Sequence, residues 1–212
     1  MFPLYVNLKD RLCVVVGAGK VGLRRARLLS ESSAKVRMIC LEFRPDQGTI
    51  PEAEWLAQPY GEDHLEGAFL VFAAAGPELN ERVVRDAKRR GLQVNSASDP
   101  AVSDFHVPAV VRRGGFLLAI GTGGAAPNLT RRVRQQLDEQ FDEAFGRWVA
   151  VLRELRETAR ALLPDRAIRQ AALARLCDRC WLERLRSEST DAVRRTMLAD
   201  LQALAGPSVK QV

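Results

Sequence analysis

Three glycines near the start of the chain have the spacing that a phosphate-binding turn needs. Gly17, Gly19 and Gly22 form a G-x-G-x-x-G pattern, which follows an apolar run at residues 14–16 and precedes an arginine-rich helical pattern. In a strand–turn–helix unit the first glycine permits the tight turn, the second lets the backbone approach a pyrophosphate, and the third lets the helix pack close to the strand. The pattern predicts a dinucleotide-binding turn, and the alternative is a glycine-rich turn with a purely structural role.

A carboxylate lies where such a fold binds the ribose of its nucleotide. Glu42 follows the second predicted strand and lies 20 residues after Gly22. A carboxylate at this position binds the ribose hydroxyls and repels a 2′-phosphate, so it favours NAD over NADP. The alternative is a surface glutamate in the following loop. Lys20, inside the glycine-rich turn, either approaches the pyrophosphate or is simply solvated.

A second glycine-rich segment precedes a predicted helix in the middle of the chain. Glycines at positions 121, 123 and 124 form a flexible loop, and Pro127 lies near the first turn of the helix that follows. Because a helix N-terminus attracts anions, the segment is either a second anion cradle or an ordinary turn between a strand and a helix.

Cys177 and Cys180 form a C-x-x-C motif in the last third of the chain. Zinc sites of this type need four ligands, and no second pair with this spacing is present. The four cysteines of the chain do not form a disulfide framework at this length. We interpret the pair as ordinary helix residues, with a redox or metal role as the alternative, and we predict no resident metal.

The first half of the chain alternates strand-like and helix-like segments. Short apolar runs between helices are typical of a parallel sheet wound in β-α-β units, so we predict an α/β fold for roughly the first 110 residues. The predicted strands are residues 13–16, 35–40, 69–74 and 93–96, and the predicted helices are residues 21–30 and 78–90.

The second half begins with two short apolar segments and then becomes helical. Residues 109–111 and 116–120 are predicted strands, and Arg112 and Arg113 lie with two glycines in the predicted turn between them. Apolar residues recur at helical spacing from about residue 141 onward, and Pro164 interrupts the pattern. Further helices are predicted at residues 167–185 and 191–204.

Composition and charge narrow the classes of partner. The chain has 212 residues and a net charge of +6, with 32 Lys and Arg against 26 Asp and Glu. An excess of arginine suits a nucleotide, a polycarboxylate or a nucleic acid as partner. Charged side chains on solvent-exposed helix faces explain the net charge equally simply. Because the signs are interspersed and no aromatic stacking platform is present, we predict no nucleic-acid partner.

The sequence predicts a cytoplasmic protein without a membrane partner. No apolar run approaches the roughly 18 residues that a membrane-spanning helix needs. The first residues lack the basic segment and apolar core of a signal peptide.

Several motifs in order carry a more specific signal than the glycines alone. With them, the chain resembles the precorrin-2 dehydrogenase / sirohydrochlorin ferrochelatase family, which is the dehydrogenase module of siroheme synthase. The motifs are FPLYVNL at residues 2–8, the glycine-rich turn with RRARLL at 24–29, VFAAA at 71–75 with Asn80, VNSASDP at 94–100, and GGAAP at 123–127 with RRVR at 131–134.

This resemblance implies a function and an organisation. The function is NAD-dependent oxidation of precorrin-2, a polycarboxylate tetrapyrrole, to sirohydrochlorin, and in some members Fe²⁺ insertion follows. The implied domains are a nucleotide-binding domain at residues 1–110, a dimerisation and substrate region at 111–145, and a helical domain at 146–212. The implied assembly is a homodimer.

The resemblance also implies binding residues. For the substrate these are Asn95, Arg112, Arg113 and Thr122, which matches a position that is commonly serine. The Thr122 hydroxyl either binds a substrate carboxylate or stabilises its own loop. For the cofactor the implied residues are the turn glycines with Lys20, Val21, Leu41, Glu42, Ala74 and Ala75.

The chain departs from the family at one central position. The family's catalytic aspartate lies three residues after the asparagine that matches Asn95, and Ser98 stands there in this chain. A carboxylate accepts a pyrrole N–H proton, whereas a serine without a partner base does not. We predict that Asp99 takes over as general base. Asp104 is an alternative, and a turn-forming role before a proline is another interpretation of Asp99.

A different class of function stays open on the same evidence. If Ser98 marks a degenerate active site, the protein is a non-catalytic binder of nucleotide or tetrapyrrole.

Overall fold

The computed structural model describes residues 2–42, 50 and 52–204. The chain divides into two compact units, Met1–Val107 and Pro108–Val212. The predicted boundary between residues 145 and 146 lies inside the second unit, and the three-domain division stays a prediction.

The first unit is built on one parallel sheet with helices packed against it. The strand order is β3-β2-β1-β4-β5, and every neighbouring pair is parallel. This confirms the predicted α/β class with a Rossmann-type sheet. The elements are β1 (Leu12–Val16), α1 (Lys20–Ser30), β2 (Lys35–Cys40), β3 (Glu54–Ala57), β4 (Leu70–Ala73), α2 (Pro77–Arg89) and β5 (Gln93–Ser96).

The central strand β1 is buried on both faces of the sheet. Val14 and Val16 pack in the cluster that contains α2, and Cys13 and Val15 pack in the cluster that contains α1. Successive side chains of a strand point to opposite faces, so a fully apolar strand is the expected sequence for a sheet covered by helices on both sides. The same burial raises the pKa of the Cys13 thiol to about 11.

The edge strand β3 is not among the strands predicted from the sequence. Its four residues pair only with β2, and only Trp55 and Leu56 are half-buried. An edge strand this short has neither a continuous apolar run nor a clear alternation, so its pattern does not differ from that of a loop.

The second unit begins with a hairpin and continues as helices. Strands β6 and β7 are antiparallel, and α4 is the longest helix at 20 residues. Within the described residues, no helix combines the length and the apolar character that a bilayer crossing requires. The elements are β6 (Ala109–Arg113), β7 (Phe116–Ile120), α3 (Pro127–Gln140), α4 (Glu143–Leu162), α5 (Arg166–Leu176), α6 (Arg179–Ser187) and α7 (Thr190–Leu204).

The hairpin turn is shorter than predicted. Arg112 and Arg113 are the last residues of β6, and Arg113 pairs with Phe116 in the register of the hairpin. Only two glycines therefore form the turn, and Gly114 has a φ of +55°. A two-residue hairpin loop needs this left-handed backbone, which glycine adopts without strain.

The helical segment predicted over residues 167–185 is two helices. The break falls at Cys177 and Asp178, where the Asp178 carboxylate is the N-cap of α6 and accepts the N–H of Cys180 at 2.9 Å. This bond holds the pKa of Asp178 below its ordinary value. Cys177 and Cys180 thus lie on either side of a helix boundary rather than on one helix, and both are exposed and free.

The helices of the second unit share a buried core. Leu155, Leu185 and Met197 are at most 1% exposed. Trp148 packs in the same cluster and donates its indole N–H to the carbonyl of Leu176 at 3.2 Å. This core joins α4, α5, α6 and α7 into one bundle.

Candidate functional site

The loops after neighbouring strands of the parallel sheet meet at its carboxyl edge. The chain leaves β1 toward β2 on one side and later returns to β4 on the other, so the strand order reverses between β1 and β4. Ligands of open α/β sheets bind at this point. Here the N–H of Ala74 donates to the carbonyl of Val16 at 2.8 Å. The predicted cofactor residues Ala74 and Ala75 therefore lie beside the glycine-rich turn.

Two of the three turn glycines are packed too tightly for a side chain. Gly17 has a φ of +107°, and a Cβ on it would overlap the carbonyl of Ala74. A Cβ on Gly22 would overlap the carbonyl of Gly17. Around Gly19, in contrast, no described atom lies within 4 Å of the place a Cβ would take. The open space at Gly19 is the room that an approaching pyrophosphate needs.

The N-terminus of α1 is suited to an anion. Gly19 is the N-cap and has no side chain to accept the first N–H groups, and the first turn, which contains Lys20 and Val21, has no acidic residue. Arg24 and Arg25 add positive charge in the next turn. The Nε of Arg25 is buried without a hydrogen-bond partner in the described chain, and burial followed by the charge of Arg24 lowers its pKa. These cations and the helix dipole both favour a bound phosphate.

The residues predicted to meet the ribose follow β2 at the same edge. Leu41 is 72% exposed, and Glu42 is exposed beside it. The next residues, 43–49, lie outside the described part of the chain. Both predicted residues thus have the exposure that a ligand contact needs.

A buried asparagine joins the two loops on one side of the site. Asn80 is fully buried in the first turn of α2. Its Oδ1 accepts the N–H of Ala75 at 2.9 Å, and its Nδ2 donates to the carbonyl of Ala75 at 3.2 Å and to the Oγ of Ser98 at 2.9 Å. The loop after β4 and the loop after β5 are therefore held together by one amide.

Ser98 and Asp99 lie in that second loop with different partners. The Ser98 hydroxyl accepts from Asn80 and lies 3.2 Å from the Oγ of Ser96, so no base contacts it among the described residues. Asp99 is exposed, and its Oδ1 accepts the N–H of Ala101 at 2.8 Å. Its Oδ2 accepts no hydrogen bond in the described chain, which leaves that oxygen available to a proton.

Asp104 and Asn95 are tied to the backbone. The Oδ2 of Asp104 accepts the N–H of Val94 at 2.9 Å, and the N–H of Asp104 donates to the carbonyl of Val94 at 2.8 Å. The Nδ2 of Asn95 donates to the carbonyl of Phe105 at 2.9 Å. Both side chains fasten the returning chain along β5.

The Thr122 hydroxyl belongs to the second unit and closes its own loop. It accepts the N–H of Ala126 at 3.2 Å and lies 3.1 Å from the hydroxyl of Thr130. Gly123 and Gly124 have φ of +63° and +86°, which lets the loop turn sharply before α3. These bonds agree with the alternative in which Thr122 stabilises its own loop. The hydroxyl still has one lone pair or its proton available for a ligand.

The two arginines at the end of β6 differ in their surroundings. Arg112 is exposed. The Arg113 side chain is 16% exposed, contacts Asp138 at 3.0 Å and lies 3.3 Å from a carboxylate oxygen of Glu143. Arg113 thus ties the hairpin to α3 and α4, which leaves Arg112 as the one of the pair that is free to meet a substrate carboxylate.

The joining role of Asn80 was missed in the sequence analysis, although its motif was noted. The position of Asn80 in the sequence could have indicated this role, because Asn80 shares the buried face of α2 with Val83, Val84 and Ala87. A polar residue at helical spacing within an apolar face needs buried hydrogen-bond partners, and such partners are backbone groups of adjacent loops.

Comparison with known families gives the class of protein. The family model described as “Putative NAD(P)-binding” matches residues 4–109, which is half of the chain. The chain therefore belongs to this NAD(P)-binding family.

The particular relatives are enzymes named for siroheme synthesis. Siroheme synthase of Azotobacter vinelandii is 32% identical over 214 residues, covering 99% of this chain and 46% of that protein. Siroheme synthase of Ectopseudomonas mendocina is 33% identical over 165 residues, covering 77% of this chain and 36% of that protein. The chain thus spans less than half the length of these relatives. The resemblance predicted from the motifs is confirmed.

A solved structure has the same fold. The structure of SirC, precorrin-2 dehydrogenase, matches with a TM-score of 0.75 and 24% identity, covering 96% of this chain and 100% of that chain.

Replacing Gly19 by alanine should affect cofactor binding, whereas replacing Gly22 by alanine should affect thermal stability. Gly19→Ala should weaken binding of a nicotinamide dinucleotide, measured with NAD, at least tenfold, because its methyl group fills the space predicted for the pyrophosphate, while the melting temperature stays within about 1 °C. Gly22→Ala should lower the melting temperature, because its methyl group meets the Gly17 carbonyl. Fluorescence titration and thermal unfolding measure both, with Gly61→Ala as the control. Unchanged NAD affinity in Gly19→Ala would contradict the assignment.

Asn80→Ala should destabilise the first unit by about 1–3 kcal/mol, because the N–H of Ala75 loses its buried acceptor. Asn80→Asp keeps that acceptor but loses both donated bonds, and it should show faster hydrogen exchange around Ser98 with a smaller loss at Ala75. Urea unfolding and amide exchange provide the readouts. An unfolding midpoint for Asn80→Ala equal to that of the parent would show that the amide does not hold the loops.

Proposed function

We propose that the protein is an NAD-dependent dehydrogenase that oxidises precorrin-2 to sirohydrochlorin in siroheme synthesis. The observation that carries this proposal is the Asn80 connection between the loop beside the glycine-rich turn and the loop of Ser98 and Asp99. This connection holds the loop beside the glycine-rich turn and the loop of the exposed Asp99 at one edge of the sheet, which supports the proposal. The similarity to siroheme synthases supports the choice of substrate.

The residues of the turn fit a dinucleotide. The open space at Gly19 and the N-terminus of α1 suit a pyrophosphate, and the exposed carboxylate of Glu42 suits the ribose hydroxyls. When bound, NAD supplies the hydride acceptor for the oxidation. The chain itself binds the cofactor, orients the substrate and accepts the proton that leaves the macrocycle.

Asp99 is the proposed general base. Hydride loss must be accompanied by loss of a proton, and the Oδ2 of Asp99 is exposed and accepts no hydrogen bond in the described chain. The Ala101 N–H on Oδ1 holds the carboxylate in place. Ser98 acts as a positioning residue, because its hydroxyl joins the loop to Asn80. Asp104 is committed to Val94 and has a structural role in this proposal.

The proposed contacts to substrate carboxylates are Arg112, Thr122 and Asn95, and this choice rests on the family resemblance. Arg112 is exposed, and arginine binds carboxylates in a bidentate manner. Thr122 adds a hydroxyl, and Asn95 borders the same strand end as Ser98. We also propose that the protein is a homodimer and is cytoplasmic. These two points rest on the family resemblance.

We also propose iron insertion as a second activity of the same site. Insertion of Fe²⁺ into sirohydrochlorin releases two pyrrole protons, and a carboxylate such as Asp99 is suited to take them. Iron is substrate here, and the described residues contain no group of three or more His, Cys, Asp or Glu side chains arranged to hold a metal ion. Adding Fe²⁺ anaerobically to the product and following siroheme absorbance tests this step.

Asp99→Asn should lower the kcat of precorrin-2 oxidation by about 10²–10⁴-fold, because the amide cannot accept the proton. The Kd for NAD should change less than twofold. The assay follows NADH and sirohydrochlorin absorbance, and Asp104→Asn is the matched control with a kcat near that of the parent at equal folded fraction.

The same assay distinguishes the dehydrogenase from the alternative of a non-catalytic binding protein. A parent protein that binds NAD without turnover, together with activity gained by Ser98→Asp, would establish a degenerate site. Turnover by the parent that is lost in Asp99→Asn establishes the dehydrogenase.

Glu42→Gln should shift cofactor preference toward NADP by roughly tenfold in kcat/KM, because removal of the charge ends the repulsion of a 2′-phosphate. Glu31→Gln, which removes an exposed charge at the other end of α1, should leave the ratio unchanged. If the ratio of kcat/KM with NADP to kcat/KM with NAD is the same in the parent and in Glu42→Gln, Glu42 does not bind the ribose.

A further inference from the structure

Two helices of the second unit surround a cavity with arginines. The cavity has a volume of about 260 Å³ and lies between α4 and α5. Two arginines on α4 are one turn apart, and two more lie in the first turn of α5. The lining residues are Arg156, Arg160, Arg166, Arg169, Gln170 and Leu173.

No carboxylate lines this cavity in the described chain. The nearby Asp165 is engaged as the N-cap of α5, because its Oδ1 accepts the N–H of Ile168 at 2.9 Å. Arg156, Arg160 and Arg166 form no salt bridge within the described residues. Other arginines of this unit do have carboxylate partners, among them Arg113, Arg134, Arg184, Arg186 and Arg194.

One of the four guanidinium groups is fixed in place. The Nη1 of Arg169 donates to the carbonyls of Leu163 at 2.6 Å and Pro164 at 3.0 Å. These bonds hold the side chain of Arg169 against the turn between the two helices. Its other N–H groups keep their hydrogen-bonding capacity, so the cavity contains a guanidinium that is already oriented.

Arg156, Arg160 and Arg166 are exposed, and four like charges around one concavity repel each other less when an anion lies between them. Guanidinium groups bind oxyanions in a bidentate manner, and such charge-assisted bonds are about twice as strong as neutral ones. The cavity is below the roughly 300–1,000 Å³ of pockets for drug-sized ligands. Its size therefore suits an anion of a few atoms.

We propose that the cavity between α4 and α5 is a binding site for a small multivalent phosphate of the pyrophosphate class. Two adjacent phosphoryl groups present oxygens in several directions, so arginines from both helices contact them at once. This site is separate from the dinucleotide turn in the first unit, and its ligand stabilises the pairing of α4 with α5.

Isothermal titration calorimetry with sodium pyrophosphate tests the proposal in a phosphate-free buffer of low ionic strength. The parent should bind, and the double variant Arg160→Gln/Arg166→Gln should bind at least tenfold more weakly. Arg175→Gln removes a charge from α5 outside this cavity and should change the Kd less than twofold. Because pyrophosphate also resembles part of a dinucleotide, the titration is repeated in Gly19→Ala, where the heat should persist.

Thermal unfolding measures the stability of each variant, with and without pyrophosphate. Without ligand, the double variant should melt no lower than the parent, because it loses like-charge repulsion. Pyrophosphate should raise the melting temperature of Gly19→Ala, and adding the two arginine substitutions to that variant should abolish the rise. Absence of binding by the parent, equal weakening by Arg175→Gln, or loss of the heat in Gly19→Ala would each overturn the proposal. Citrate binding ten times more tightly than pyrophosphate would also overturn it, in favour of a polycarboxylate.

Discussion

One buried amide holds together the two loops on which the proposed chemistry depends. Asn80 bonds both backbone groups of Ala75 and the hydroxyl of Ser98, and its side chain is wholly removed from solvent. A buried amide with these partners is stable, whereas a partly satisfied one is costly. The distance between the loop after β4 and the loop of Asp99 therefore depends on the packing of α2, which holds Asn80 in the core.

The parts of the fold that could be predicted are those whose local pattern agrees with their tertiary environment. Strand β1 is apolar at every core position because it is buried on both faces, and its pattern identified it. Strand β3 has one neighbour and two half-buried residues, so tertiary pairing alone makes it a strand. The break before α6 depends on one capping aspartate, Asp178, within a pattern that otherwise continues as helix.

The candidate site was predictable to a similar extent. The spacing of Gly17, Gly19 and Gly22 carries its own geometry, so the turn could be found without a structure. The roles of Asn80 and Arg113 depend on partners 18 and 25 residues away, at Ser98 and Asp138, which no local pattern specifies. Single residues in the sequence indicate chemistry, but the structure decides which of them are already committed to the backbone or to each other.

The two walls of the proposed dinucleotide cradle differ in how many substitutions they tolerate. Gly17 and Gly22 contact backbone carbonyls, so the phosphate wall is part of the core, and substitution there disturbs the whole sheet. Leu41 and Glu42 are exposed beyond the end of β2, so a new side chain there disturbs little packing among the described residues. A lineage with this fold can therefore exchange one nicotinamide cofactor for the other through surface mutations, while its phosphate cradle stays unchanged.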